Sequence, residues 1–313
     1  MEKTMFDSRA TVFDGIGRKA IGAKSSSEAI KLAGLDWNVY QSDVYTYNQN
    51  GKKIAIEGKY ANIRDDNNNI LGIVSDRYKI IQNSEAFNFT DQLIGEGVTY
   101  ETAGSLNGGK RVWMLAKLPT QYIIDEDDIE TYIVFSNSHD GSTAIKIAIT
   151  PIRVVCKNTL NLALKTSKRQ WSAVHSTNIE KRIEEAKEVL KMSSKYMDNL
   201  KLECEELSTY KISDKKFEEI LDKIVPIDEK MSDRMKTNKL LIRDDITTRY
   251  QTAPDLVDKP KTLLRMMQSI TDSANHMEPI RKSVSYEDNH FMNTIDGDEL
   301  IDFSYRVIRD YKI

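Results

Sequence analysis

The feature that most constrains the fold is a change of hydrophobic pattern close to Pro151. Before Pro151, short runs of β-branched and aromatic residues alternate with turns rich in Gly, Asn and Asp, which is typical of β-strands. After it, apolar residues recur every three or four positions among many charges, which indicates amphipathic helices. The pattern predicts an α+β protein: a mostly antiparallel sheet with a packed helix in the N-terminal two-thirds, then a helical C-terminal region.

Turn and cap signals divide the chain into three predicted regions. Residues 1–36 are expected to form an N-terminal arm with a short helix, capped by one of the serines at positions 25–27 and ended by Gly34. Residues 37–178 are expected to form the α+β sheet domain, and residues 179–313 the helical region. Within these regions, helices are predicted over residues 84–94, 156–164, 179–207, 217–224, 263–277 and 298–311.

Composition excludes several classes of protein. The chain has 313 residues, of which 40% are hydrophobic, enough to build a core and too many for a disordered chain. No run approaches the roughly 18 apolar residues of a membrane-spanning helix, and the N-terminus lacks the apolar core of a secretion signal. Two cysteines, Cys156 and Cys204, are too few for a disulfide framework. We expect a cytoplasmic protein without a membrane partner or cofactor.

Charge is unevenly distributed although the net charge is only −3. Residues 121–131 hold five acids and no base, whereas residues 146–182 hold eight bases and one acid, Glu180. Basic residues next to an aromatic ring suit a phosphate backbone with a stacked base. The alternative is a solvated basic face with Trp171 covering the core. The residues expected to contact nucleic acid are Arg153, Lys157, Lys165, Lys168, Arg169, Trp171 and His175.

A weaker set of residues could carry catalysis. His139 and Asp140 are adjacent and could act as a proton-transfer pair, but Asp140 and Gly141 also form a strong hairpin-turn signal, which is favoured. Cys156 could be a nucleophile if His139 or His175 lay nearby, although a lone cysteine in an apolar run is usually a packing residue. The spacing of these residues does not match a zinc module, so no metal site is predicted. The glycine-rich residues 104–110 lie between two predicted strands and are read as a hairpin loop.

A series of motifs resembles the domain of unknown function carried by many phages, prophages and plasmids. The resemblance covers about residues 15–276 and weakens in the last third of the chain. It implies a mobile-element accessory protein that acts inside a bacterial host. The motifs are Trp37-Asn38-Val39, Leu71-Gly72-Ile73-Val74-Ser75, Arg77-Tyr78-Lys79-Ile80-Ile81-Gln82-Asn83, Glu101-Thr102-Ala103-Gly104-Ser105-Leu106, Gly109-Lys110-Arg111-Val112-Trp113, Ser138-His139-Asp140-Gly141-Ser142 and Arg153-Val154-Val155-Cys156-Lys157-Asn158-Thr159-Leu160.

Three functions are compatible with these observations. The leading hypothesis is a non-enzymatic nucleic-acid-binding protein, which handles or anneals single-stranded DNA, in recombination for example, and which could work as a homo-oligomer. The second is a counter-defence protein whose charged helices bind and block a host protein complex. The third is a hydrolase or nuclease that uses His139, Asp140, Cys156 and His175.

Overall fold

The computed structural model describes Phe13 and residues 16–93, 97–164, 168–175, 179–279 and 281–312. In these residues the strands form two antiparallel sheets, as the strand-rich N-terminal pattern predicts. The strands are β1 (Arg18–Lys19), β2 (Val39–Tyr47), β3 (Lys53–Arg64), β4 (Ile70–Ser75), β5 (Thr99–Leu106), β6 (Arg111–Ile124), β7 (Asp127–Ser138), β8 (Ile145–Arg153) and β9 (Gln170–Ala173).

The larger sheet has six strands in the order β1-β5-β6-β7-β8-β9, and the smaller sheet has three in the order β2-β3-β4. The acidic segment found in the sequence closes the β6–β7 hairpin. Ile124 pairs with Asp127, so Asp125 and Glu126 alone form the turn, with φ angles of 49° and 67°. Two successive positive φ angles are typical of a type I′ turn, whose twist matches that of the strands.

Helices cover the six-stranded sheet and form the C-terminal part. The predicted caps of the first helix are confirmed: the Ser25 side chain accepts a hydrogen bond from the Glu28 amide, and Gly34 ends the helix at a φ of 69°. The helices are α1 (Ser26–Ala33), α2 (Asn83–Leu93), α3 (Ile179–Thr209), α4 (Asp214–Ile224), α5 (Asp233–Thr252), α6 (Leu263–His276), α7 (Tyr286–Asp296) and α8 (Glu299–Arg309). None of the helices in the described residues is long and apolar enough to cross a membrane.

Both faces of the six-stranded sheet are buried. On β6, Met114 packs with Phe87 of α2 on one face, while the neighbouring Trp113 packs with Phe13 and Phe291 on the other. This alternation follows from the two-residue period of a strand. A third cluster joins the sheet to helices α3, α4, α5, α6 and α8, so the helical part is packed against the sheet.

The structure corrects one predicted element and adds others. Residues 156–164 are not helical: they form turns and extended chain after β8, and Lys157 has a φ of 59°. β3 is one long strand, interrupted by a bulge near Gly58. The sequence patterns did not predict β1, β9, α5 or α7. The division into arm, sheet domain and helical region stays a prediction.

Candidate functional site

Arg153, expected to contact a phosphate, lies inside the protein. It has no exposed surface, and its guanidinium lies 2.5 Å from Asp127 Oδ2 and 3.0 Å from Asp255 Oδ2. Lys259 adds a second cation, 2.7 Å from Asp127 Oδ2. Because the guanidinium is enclosed by the protein's own carboxylates, Arg153 ties β8 and β7 to the segment after α5. This placement removes it from the predicted basic surface.

The other predicted basic residues are spread over different environments. Lys168 is exposed, Lys157 is partly buried, and Arg169 is 8% exposed. Lys165 lies outside the described residues. The single basic face that the sequence predicted therefore reduces, in the described residues, to Lys168 with part of Lys157, while Arg169 lies beneath the surface.

Trp171 and His175 are also packed rather than presented to solvent. Trp171, on β9, is partly buried and contacts two clusters on the same face of the sheet, the one that holds Met114 and the one that joins the sheet to the helices. His175 is 8% exposed, stacks on Tyr78 with ring centroids 4.6 Å apart, and has Nδ1 3.1 Å from the Lys79 carbonyl oxygen. Burial lowers the pKa of His175. These contacts give both residues a packing role in the described structure.

His139 lies at the centre of a buried polar cluster where the two sheets meet. It has no exposed surface, and its Nε2 is 2.8 Å from Asn83 Oδ1. Asn83 uses its amide nitrogen to donate to the Leu35 carbonyl, so its oxygen faces the imidazole and His139 donates from Nε2. Burial, with the nearby His175, lowers the pKa of His139 to about 3. The imidazole is therefore neutral at physiological pH.

The proposed catalytic set is not assembled in one place. Asp140 lies in the loop between β7 and β8, where its carboxylate accepts a hydrogen bond from the Ser142 amide, which confirms the predicted turn. Cys156 instead lies beside Arg153, 3.2 Å from its guanidinium, and burial raises the pKa of its thiol to about 12. A thiol with this pKa is protonated at neutral pH and is a poor nucleophile.

The three-stranded sheet contacts the loop between β7 and β8 with one of its faces, called here the inner face. Asn62 of β3 donates to the His139 carbonyl oxygen at 2.6 Å. Gly72 of β4 lies against the backbone of Asp140, where a Cβ atom would come within 2.6 Å of the Asp140 Cα. Only glycine allows this approach. Several motifs that carry the family resemblance therefore meet at one junction, and their shared role there is to dock one sheet on the other.

The outer face of the small sheet is apolar and open to solvent. The strand register places Tyr40, Ile63 and Ile70 in one row across β2, β3 and β4, and Ile73 lies in the next row. Tyr40, Ile70 and Ile73 are 43%, 63% and 59% exposed. We call these four residues the outer face. Adjacent exposed apolar residues on a sheet face are a candidate interaction surface.

The same sheet extends into a two-stranded ribbon, defined here as residues 45–59, in which every residue is exposed. Tyr45 and Tyr47 are 43% and 68% exposed, and the Lys53 ammonium lies 3.5 Å above the Tyr45 ring. Three lysines (positions 52, 53 and 59) accompany a single acid, Glu57. Alternating tyrosines beside a lysine-bearing turn are visible in residues 45–53 of the sequence, but this pattern does not by itself predict a site.

The fold and these surfaces define a class: an α+β protein with two antiparallel sheets, a buried polar junction between them and a helical part packed on the larger sheet. Residues 70–294 match the family described as a domain of unknown function (DUF932). The chain belongs to this family, which confirms the resemblance drawn from the motifs. Comparison with the curated proteins and with the solved structures finds no match.

Proposed function

We propose that this protein is a non-enzymatic nucleic-acid-binding protein of a mobile genetic element, and that it holds a single strand on the ribbon. The observation that carries the proposal is the exposure of Tyr45 and Tyr47 beside lysines on a projecting pair of strands. Base–aromatic stacking contributes about 1–3 kcal/mol per base and tolerates any sequence. The strand would be held inside the host cell, where the element's DNA is copied or transferred.

The charges of the ribbon support the same partner. Three lysines and one glutamate leave the ribbon with a positive balance, while the whole chain carries −3. Lys53 lies over the Tyr45 ring, so a base stacked on that tyrosine would bring its phosphate close to an ammonium group. This surface replaces the basic set around Arg153 as the expected binding site, and Lys168 is left as a peripheral contact.

The test is a titration of a fluorescein-labelled oligothymidine, followed by anisotropy at several salt concentrations. Replacing both Tyr45 and Tyr47 with Ala should weaken binding about tenfold or more, because each stacked base contributes about 1–3 kcal/mol. Replacing the ribbon lysines Lys52, Lys53 and Lys59 with Ala should lower the salt slope by about 2, at roughly 0.7 per phosphate contact.

The control variant replaces the exposed Lys215, Lys230 and Arg234 with Ala, which removes the same charge from the helical part. It should bind the oligonucleotide almost as the unmodified protein does. If the ribbon variants and this control lose affinity equally, binding is non-specific electrostatics and the ribbon is not the site.

The outer face favours a second candidate, a protein that binds and blocks a host complex. Ile70 and Ile73 are more than half exposed on a regular sheet face, which is unusual unless a partner covers them. Replacing both with Ser should abolish formation of a complex with a partner identified in host lysate and then purified. The same variant should leave oligonucleotide binding intact, which separates this candidate from the first.

A further inference from the structure

A cleft of about 430 Å³ opens between β9 and the last two helices. One side is formed by residues 162–164 and 168–170, and the other by the end of α7 and the start of α8. Its size suits a ligand as large as a nucleotide. The lining residues used below are Lys168, Arg169, Asp296, Gly297 and Asp302.

Arg169 is the unusual member of this lining. It is 8% exposed, yet neither of its terminal nitrogens, Nη1 and Nη2, has a hydrogen-bond partner in the described part of the chain. A buried guanidinium is normally paired with a carboxylate or with carbonyl oxygens, because removing its charge from water is costly. Among the described residues, these donors are therefore unused and can bind a further group.

The position of Gly297 keeps the space next to these donors open. A Cβ atom at Gly297 would lie 3.9 Å from Arg169 Nη2 and 2.9 Å from Asp302 Oδ2. A side chain there would fill the space between the guanidinium and the carboxylate. Asp302 itself has a buried oxygen, Oδ1, with no hydrogen-bond partner among the described residues. The cleft thus has unused donors and an unused acceptor close together.

The remaining charges favour an anion at the Arg169 end. Lys168 is exposed at the rim and adds a second positive charge. Asp296 is held by Lys146, whose ammonium lies 2.5 Å from its Oδ1, so its negative charge is balanced within the protein. An anion at Arg169 therefore meets two carboxylates of the lining, Asp296, which is paired with Lys146, and Asp302.

We infer that this cleft binds a phosphate monoester that also carries free hydroxyl groups, the chemical class of nucleotides. The phosphate oxygens accept hydrogen bonds from Arg169 and interact with Lys168, and a ligand hydroxyl donates to Asp302. A guanidinium suits phosphate because its planar N–H groups can reach two oxygens at once. The cleft does not use the ribbon, so this inference stands independently of strand binding.

The experiment measures thermal unfolding and calorimetric binding of the full chain with adenosine 5′-monophosphate, adenosine and inorganic phosphate. The monophosphate should raise the melting temperature and bind at least tenfold more tightly than adenosine or phosphate alone. Oligonucleotides with a 5′-phosphate or a 5′-hydroxyl show whether the phosphate that binds belongs to the end of a strand or to a free nucleotide. A preference for the phosphorylated strand assigns the cleft to a strand end, and equal binding of the two strands assigns it to free nucleotides.

Arg169→Met is the decisive variant, because methionine fills a similar volume without a charge. It should unfold at a higher temperature than the unmodified protein without ligand, and the shift caused by the monophosphate should disappear. Lys168→Ala should weaken binding several-fold without changing the fold, and Arg234→Met, an exposed control, should change neither property. The variant Tyr45→Ala with Tyr47→Ala should bind the monophosphate normally even if strand binding is lost.

Two results would overturn the inference. One is a lower melting temperature for Arg169→Met, which would show that the guanidinium holds the structure together. The other is equal binding of the monophosphate by this variant and the unmodified protein, or no binding by either.

Discussion

Arg153 is the last residue of β8, and Arg169 immediately precedes β9. Both are buried, and in the sequence both are members of one basic segment. Their surroundings differ. Arg153 is enclosed by Asp127, Asp255 and the Cys156 thiol, whereas both terminal nitrogens of Arg169 lack a partner in the described residues. The Arg153 guanidinium is therefore paired within the protein, whereas the Arg169 guanidinium can bind a further group.

The comparison shows that a basic segment does not define a basic surface. A buried ion pair contributes little net stability, but removing one partner is costly because the other charge stays buried. A buried cation with unused donors costs free energy of folding until a ligand fills them. The same residue type can therefore hold a fold together at one place and await a partner at another.

The largest effect on stability is expected from replacing Arg153. Arg153→Met removes a fully buried cation from between two largely buried carboxylates and should lower the free energy of unfolding by about 3–5 kcal/mol. Urea denaturation at neutral pH measures it. Lys259→Met, which removes the more exposed cation from Asp127, should cost clearly less. Equal losses for the two variants would mean that burial does not distinguish the two cations.

How far the sequence predicts this structure depends on whether the signal is local. The Ser25 and Gly34 caps and the turn at Asp140 were predictable because a cap or a turn needs only neighbouring residues. The segment 156–164 was not. Its residues 158–162 are all buried, because they lie between the sheet and the helices, and that enclosure hides the period that separates helix from strand.

The candidate sites divide in the same way. The sequence shows that Lys168 and Arg169 are basic, but the cleft beside Arg169 is closed by α7 and α8, which are more than 100 residues further along the chain. The exposure of Tyr45 and Tyr47 is likewise a tertiary property, since an identical alternating strand would be half-buried in a larger sheet. Charge and turn chemistry were therefore predictable, whereas the sites that they form were not.

The second prediction concerns His139, which is buried like Arg169 but is neutral in the folded protein. The pKa of His139 is about 3 in the folded protein, against 6.5 for an ordinary histidine, because burial disfavours the imidazolium. The unfolded chain therefore binds the proton more tightly. Stability should be full above about pH 6.5 and should fall by about 1.4 kcal/mol per pH unit from there down towards pH 3.

Urea denaturation between pH 7.5 and pH 4.5 checks this slope. His139→Gln keeps a donor for Asn83 but cannot titrate, so its stability should depend less steeply on pH. His175, whose pKa burial also lowers, retains a smaller dependence of the same sign. A slope that is identical in the variant would show that His139 is not the group that titrates.

The third prediction concerns Arg169→Met, which should stabilise the protein, whereas Arg153→Met should destabilise it. Arg169→Met should raise the free energy of unfolding of the ligand-free protein by about 1 kcal/mol or more, because it removes an unsatisfied buried polar group. When the two variants are measured under the same conditions, Arg153→Met should lower the free energy of unfolding and Arg169→Met should raise it. If both variants had a lower free energy of unfolding, Arg169 would stabilise the fold as Arg153 does, and the difference in their hydrogen-bond partners would have no effect on stability.

The smallest effect on stability is expected on the ribbon. Tyr45 and Tyr47 are exposed on strands with few buried neighbours, so replacing both with Ala should change the free energy of unfolding by no more than about 0.5–1 kcal/mol. The same variant should lose about tenfold or more of its affinity for a single strand, so the two measurements separate binding from folding. A matched substitution, Tyr250→Ala, removes a buried ring that stacks on Phe217 and should cost about 3–5 kcal/mol. If the ribbon variant were destabilised as strongly as Tyr250→Ala, its tyrosines would be part of the core rather than a surface free to stack on bases.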